Sequence, residues 1–403
     1  MELELPRGSG TGESEPPLFS VMGGGPLGDL LQRAHLVAEE LQLLPRRIAI
    51  AIAITWIPVA VLSAVAGRAF PGAVKIPFFV DIDVQARLLI ALPLLLAAEV
   101  VAYQRLGRVV PSFIRRGLIR DADRSKFDAI VESIRRARES KVAEILLLVF
   151  VYGFGVRYLW LTHLVIPGET WYAVQSGAGR HLTAAGWWYA LVSLPLWQFL
   201  LVRWYYRLIL WAILLFRISR LDLQLMPLHP DRCGGLGFLT TATRGFSTLL
   251  LVHGTLVAGT LANRIYYQGA KLSSFKSDIG IFVAIMLVIV LGPLIVFMPS
   301  LTRLRRRGLF EYGGVAIDYV RDFDRKWLRG GNRQNEPLLG TPDIQSLADL
   351  ANSFEVIVRI QPLPFARSLV IELAIAALLP IAPLMLTMIP LEEAFGQMIK
   401  IIF

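Results

Sequence analysis

Between Trp187 and Ile218 the chain stays apolar for longer than the roughly 20 residues a helix needs to cross a bilayer, yet Arg203 and Arg207 interrupt the run. A charge at the centre of a membrane helix costs about 2.5–3.5 kcal/mol on insertion scales. A spacing of four puts both guanidinium groups on one helix face, so the rest of the chain has to offer that face carboxylates, backbone carbonyls or water. One carboxylate lies at a comparable depth: Glu99, close to the inner end of the apolar run from Arg87 to Tyr103. A Glu99 to Arg207 ion pair is the first expectation.

Six further apolar runs share this character: Ile48 to Ala66, Arg87 to Tyr103, Val142 to Leu164, Phe246 to Ala262, Ile279 to Met298 and Ser368 to Ile389. With 55% hydrophobic and 18% charged residues among 403, and a mean hydropathy of +0.56, the chain is far more apolar than a soluble domain of its length. The fold class expected is all-α, a polytopic membrane protein of about seven transmembrane helices with a helical cytoplasmic layer. Its lysines and arginines divide thirty to eight between the two sides that seven spans would define. By the positive-inside rule this places the N-terminus, the segment 217–245 and the segment 300–367 in the cytoplasm and the C-terminus outside, in a membrane of the bacterial inner type. The net charge of +10 is concentrated in the same inner segments, where it meets anionic headgroups; no nucleic-acid reader motif accompanies it, so no nucleic acid is expected as a partner. A single cysteine, Cys233, excludes an intramolecular disulfide. No signal peptide pattern precedes the first run, which is expected to act as its own insertion signal.

Patterning divides the chain further. Residues 1–26 read as a disordered tail, and 27–46 as an amphipathic helix carrying Leu27, Leu30, Leu31, Ala34, Ala38 and Leu41. Residues 47–299 form a bundle of six spans with a cytoplasmic helix over 108–141, running without a break into the third span, and a loop over 218–245. Residues 300–367 make a cytoplasmic helical segment, with one helix over about Leu309 to Leu328 and a second from Thr341. Residues 368–390 are the seventh span and 391–403 an amphipathic tail. A kink is expected near Pro195, and the uniformly apolar Ile279 to Met298 is expected to face lipid.

Three groups of residues invite a chemical reading. Arg203 and Arg207, with Arg157, either line an electropositive route for anions or form structural ion pairs with Glu99. His253, among Ser247, Thr248, Gly254 and Thr255, suits interhelical hydrogen bonding better than metal or haem ligation, and Gly254, Ala258 and Ala262 make a small-residue face beside it, for a neighbouring helix or a second subunit. The loop His229-Pro-Asp231-Arg232-Cys233-Gly234-Gly235-Leu-Gly237 admits a metal site lacking a fourth ligand, a cysteine nucleophile with His229 as base, an anion nest, or a rigid turn. HExxH, phosphate-loop, GxSxG and dinucleotide signatures are all missing from the sequence, so no cofactor or metal is expected and an enzyme, acting on lipid, is the last of three readings. The first is a channel or transporter for a small anionic solute. The second is a membrane sensor, scaffold or assembly factor working through its cytoplasmic helices. The partners expected are anionic lipid headgroups, a small solute or ion, and further copies of the chain.

Overall fold

The computed structural model describes residues 43–156, 169–176, 179–329 and 340–388. The expectations for the 1–26 tail, for residues 27–42, for Arg157, for the end of the Val142 to Leu164 run and for the 391–403 tail lie outside these residues. Among the described residues six helices are long and apolar enough to cross a membrane: α1 (Leu44–Val65), α2 (Ile82–Arg115), α5 (Ala184–Ser219), α6 (Phe238–Gln268), α7 (Leu272–Arg329) and α9 (Arg367–Thr387). Shorter helices are α3 (Arg124–Arg138), α4 (Lys141–Phe150) and α8 (Pro342–Val358). The structure is 80% helical. Among the described residues the sheet is one antiparallel hairpin of β1 (Ala173–Ser176) and β2 (Gly179–Leu182), inside a stretch that hydropathy marks only as a connection. The count of seven spans becomes six here because the Val142 to Leu164 run is described only as α4 and a π-helical continuation to Val156.

Prolines shape the long helices. Pro93 in α2 and Pro195 in α5 each follow a π turn, Ala86–Ala91 and Tyr189–Ser193. A proline has no N–H for the carbonyl four residues back and its ring crowds that carbonyl; a wider turn relieves both. The expected kink near Pro195 takes this form. The two widened turns face each other, with Arg87 donating to the Tyr189 hydroxyl at 2.6 Å. In α7, Pro293 opens a 3-10 segment, Gly292–Phe297, and Pro299 falls in the first turn of the α-helix that follows, where its missing N–H has no bond to lose. The apolar run Ile279 to Met298 and the polar helix Leu309 to Leu328 are therefore parts of one helical rod of 58 residues, not a span followed by a separate segment.

The helix expected to run unbroken from 108 into the third span is broken instead. Gly117 adopts a φ of 63°, ending α2's last turn, and Ser140 caps α4 by accepting a hydrogen bond from the Ala143 N–H at 3.2 Å.

Packing ranks the helices. In α5 and α6, 56% and 61% of the most apolar window is buried, against 22% in α1, α7 and α9, so α5 and α6 hold the centre. Ile281, Ile285 and Val288 of α7 are exposed along its apolar stretch, as a lipid-facing helix requires. The small-residue face of α6 is used within the chain: a Cβ on Gly254 would lie 2.2 Å from the Ala377 carbonyl oxygen of α9. At the end carrying the hairpin, Trp171 packs edge-on against Phe78, Tyr172 and Tyr189, and its indole donates to Asp81 at 2.8 Å. The Asn263 amide donates to the other Asp81 oxygen at 2.8 Å, tying α6 to the start of α2. The opposite end carries most of the arginines and is called the basic end below.

Candidate functional site

Arg203 and Arg207 are 5% and 3% exposed on α5, and the spacing that put them on one face brings both to Glu99 of α2. Glu99 Oε1 accepts from Arg207 at 2.7 Å and from Arg203 at 3.4 Å. Its other oxygen accepts from Arg47 of α1 at 2.8 Å. Arg203 Nε also lies 3.4 Å from Glu144 of α4. Four helices thus meet on one cluster, three guanidinium groups around two carboxylates. The cavity beside it, walled by Leu95, Leu96, Leu200 and Trp204, measures about 10 Å³, room for about one water. Such an arrangement satisfies buried charge and locks helices in register, since removing any one group strands the others in a medium of low dielectric.

Arg47 and Glu144 were not singled out in the sequence. Each sits at the end of an apolar run, where a charge ordinarily marks the membrane interface, and Glu144 also occupies a first helical turn, where acids are favoured by the helix dipole. Their common depth with Glu99, counted from the basic end of each helix, is the signal that would have found them.

His253 of α6 belongs to a different contact. Its Nδ1 lies 2.8 Å from the Leu249 carbonyl, which only a protonated nitrogen suits, and Nε2, 2.5 Å from the Tyr205 hydroxyl of α5, then accepts. Both ring nitrogens are used, Nδ1 within α6 and Nε2 in joining the two central helices. Arg157 lies outside the described residues.

The His229 to Gly237 loop is folded around a single side chain. Asp231 accepts from the Cys233 N–H at 2.8 Å, the Gly235 N–H at 3.1 Å and the Gly237 N–H at 2.8 Å. Arg232, Gly234 and Gly235 have φ of 55°, 63° and 98°, which turns those donors inward. The backbone makes an anion nest, and the anion in it is the chain's own carboxylate. His229 Nδ1 lies 2.9 Å from Asp231 Oδ1, while the Cys233 thiol turns away to the Leu363 carbonyl, 3.8 Å off. Burial, with the nearby Asp231 charge second, pushes the Cys233 pKa up to about 12. The thiol is protonated at neutral pH and poorly suited to nucleophilic attack. Since the folded pKa lies above the ordinary value of a free thiol, the stability this burial contributes is whole below about pH 8.5 and is lost as pH rises towards 12. Among the described residues no three His, Cys, Asp or Glu side chains converge as a metal site would require.

The loop also anchors the connection between α8 and α9. The Gln361 N–H donates to the Arg232 carbonyl at 2.9 Å, and the Thr240 hydroxyl to the Pro364 carbonyl at 2.8 Å. Compared with known proteins, this chain matches no family model, no curated protein and no solved structure.

Proposed function

We propose that this chain is a membrane-anchored scaffold or sensor that works through its basic end, the bundle serving as a closed anchor and not as an anion route. The observation that carries this reading is the closure of the arginine cluster: Arg203 and Arg207 are held against Glu99, beside a cavity of about 10 Å³. An anion passing there would have to displace a carboxylate from two guanidinium groups at once. The shape of the basic end adds support. α7 continues far past its apolar stretch and is braced by α8, with Tyr319 donating to the Asp343 carbonyl at 3.0 Å and Asp343 accepting from Lys326 at 2.8 Å and Trp327 at 3.0 Å. The Lys326 hydrogen bond, followed by that of Trp327, holds the Asp343 carboxyl below the usual carboxylate range.

The test is ion flux through purified protein in liposomes. Wild type and Arg203→Gln are both expected to leak chloride no faster than protein-free vesicles, with Arg203→Gln losing thermal stability. A chloride conductance whose selectivity shifts in Arg203→Gln would overturn the reading and restore the channel.

We further propose seven crossings, with the basic end cytoplasmic. Tyr206 donates to the Ala137 carbonyl at 2.6 Å and Arg203 meets Glu144, so the chain at 137–144 lies beside the inner half of α5. Tyr152 then reaches the Leu191 carbonyl at 3.0 Å, near the other end of α5, and Thr170 bridges to Ile76 in the connection between α1 and α2. A chain beside opposite ends of α5 at 144 and 170 has crossed between them, and the lysine and arginine bias then sets the direction. Reporter fusions after residues 110, 225 and 340 are expected to read cytoplasmic and those after 172 and 270 external. A cytoplasmic signal at 172 would remove the seventh crossing.

A further inference from the structure

At the basic end, where α2 passes the start of α6, a cavity of about 650 Å³ opens between Arg105, Arg108 and Ser112 on one wall and Thr240 and Thr241 on the other. Its charge is unbalanced. The guanidinium groups of Arg105 and Arg108 are exposed and make no ion pair or hydrogen bond with any described residue. The one carboxylate in its wall, Asp231, already accepts from three backbone N–H groups. Arg116 lies along the rim, its guanidinium 5.0 Å from the Phe238 ring centre. A second basic cavity of about 990 Å³, between the end of α5 and the middle of α7, also holds arginines, Arg220, Arg303, Arg306 and Arg307; Arg307 pairs with Glu311, Arg303 donates to the Pro299 carbonyl at 3.4 Å, and the wall carboxylate Asp222 pairs with Arg120.

Depth completes the description. Arg87, paired with Asp83, marks the far end of α2, and Arg105 lies eighteen residues on, about 27 Å at the helical rise, against a hydrocarbon core of about 30 Å. The cavity therefore opens at headgroup level. It offers two arginines without an ion pair, with Gln104, Thr241 and Gln361 as further donors, against one acidic side chain, Asp231, whose oxygens are turned to the N–H groups of its own loop.

We propose that this cavity binds a phosphate-bearing anion, held by Arg105 and Arg108, whether or not the bundle conducts. Phosphate chemistry reaches such a place from two sources, the headgroup of an anionic phospholipid and a soluble phosphate, and competition separates them.

The full chain, purified and exchanged into phosphatidylcholine nanodiscs, is titrated with fluorescent short-chain phosphatidylglycerol and, separately, with inorganic phosphate. At least one probe is expected to bind with an affinity that falls about tenfold or more in R105Q/R108Q, through the loss of charge-assisted hydrogen bonds. R303Q/R306Q removes the same charge from the second cavity and is expected to change affinity less than about twofold. Lipid that inorganic phosphate fails to displace assigns the headgroup; displacement, or binding of phosphate alone, assigns a soluble ligand. R105K/R108K keeps the charge and is expected to keep measurable binding, which separates recognition from a folding effect. The proposal is overturned if R105Q/R108Q binds both probes like wild type, if R303Q/R306Q weakens binding as much, or if the lysine pair fails as the glutamine pair does.

Discussion

Glu99→Gln is expected to destabilise the fold by about 3–5 kcal/mol, the usual cost of removing one partner from a buried ion pair. The carboxylate accepts from Arg47, Arg203 and Arg207, so its loss takes from three guanidinium groups the counter-charge they share. Arg207→Gln is expected to destabilise by less, because Glu99 keeps Arg47 and Arg203 as partners. The double variant should cost less than the sum of the singles by more than about 1 kcal/mol, because groups that share a network do not contribute independently. Melting in detergent, followed by circular dichroism, measures all four proteins. Strict additivity would mean that the two side chains do not meet.

The second large effect concerns the approach of two helix backbones. At Gly254 a Cβ would stand 2.2 Å from the Ala377 carbonyl oxygen and 3.1 Å from Pro380 Cδ, and a backbone carbonyl cannot swing aside as a side-chain end can. Gly254→Val should push α9 off α6 and cost about 1–3 kcal/mol or more through overpacking. Gly280→Ala on α7 is the matched control, since nothing lies within 4 Å of a Cβ there. It is expected to be neutral or to stabilise by up to about 1 kcal/mol, because alanine is the better helix former. Equal losses at both positions would show that the α6 to α9 contact is looser than 2.2 Å implies.

Hydropathy made the membrane helices legible because a bilayer imposes one requirement, about 20 apolar residues, that composition can satisfy or fail on its own. Pairing depth along helices was legible for Glu99 and Arg207 because both charges stand inside apolar runs. It was not legible for Arg47 and Glu144, whose positions at the ends of runs look like ordinary interface charges. The loop shows a different limit. His229, Asp231 and Cys233 alternate as metal ligands might, but the glycines that follow turn the backbone donors onto Asp231, and an aspartate followed by glycine at the third, fourth and sixth positions is the pattern that encodes it. Pro299 misled in another way. A proline after an apolar run reads as an end, yet in the first turn of a helix it is neutral, and only the preceding 3-10 segment makes it a first turn.

That continuous rod has a mechanical consequence. From Gly292, where the helix narrows inside the apolar stretch, to Arg329 the backbone climbs about 55 Å at the helical rise. A tilt of about 5° at that narrowing, small beside the range membrane helices adopt, sweeps the far tip through about 5 Å. The geometry of α7 alone therefore magnifies any tilt of its apolar arm at the Arg329 tip, and the bracing by α8 stiffens the arm that is swept.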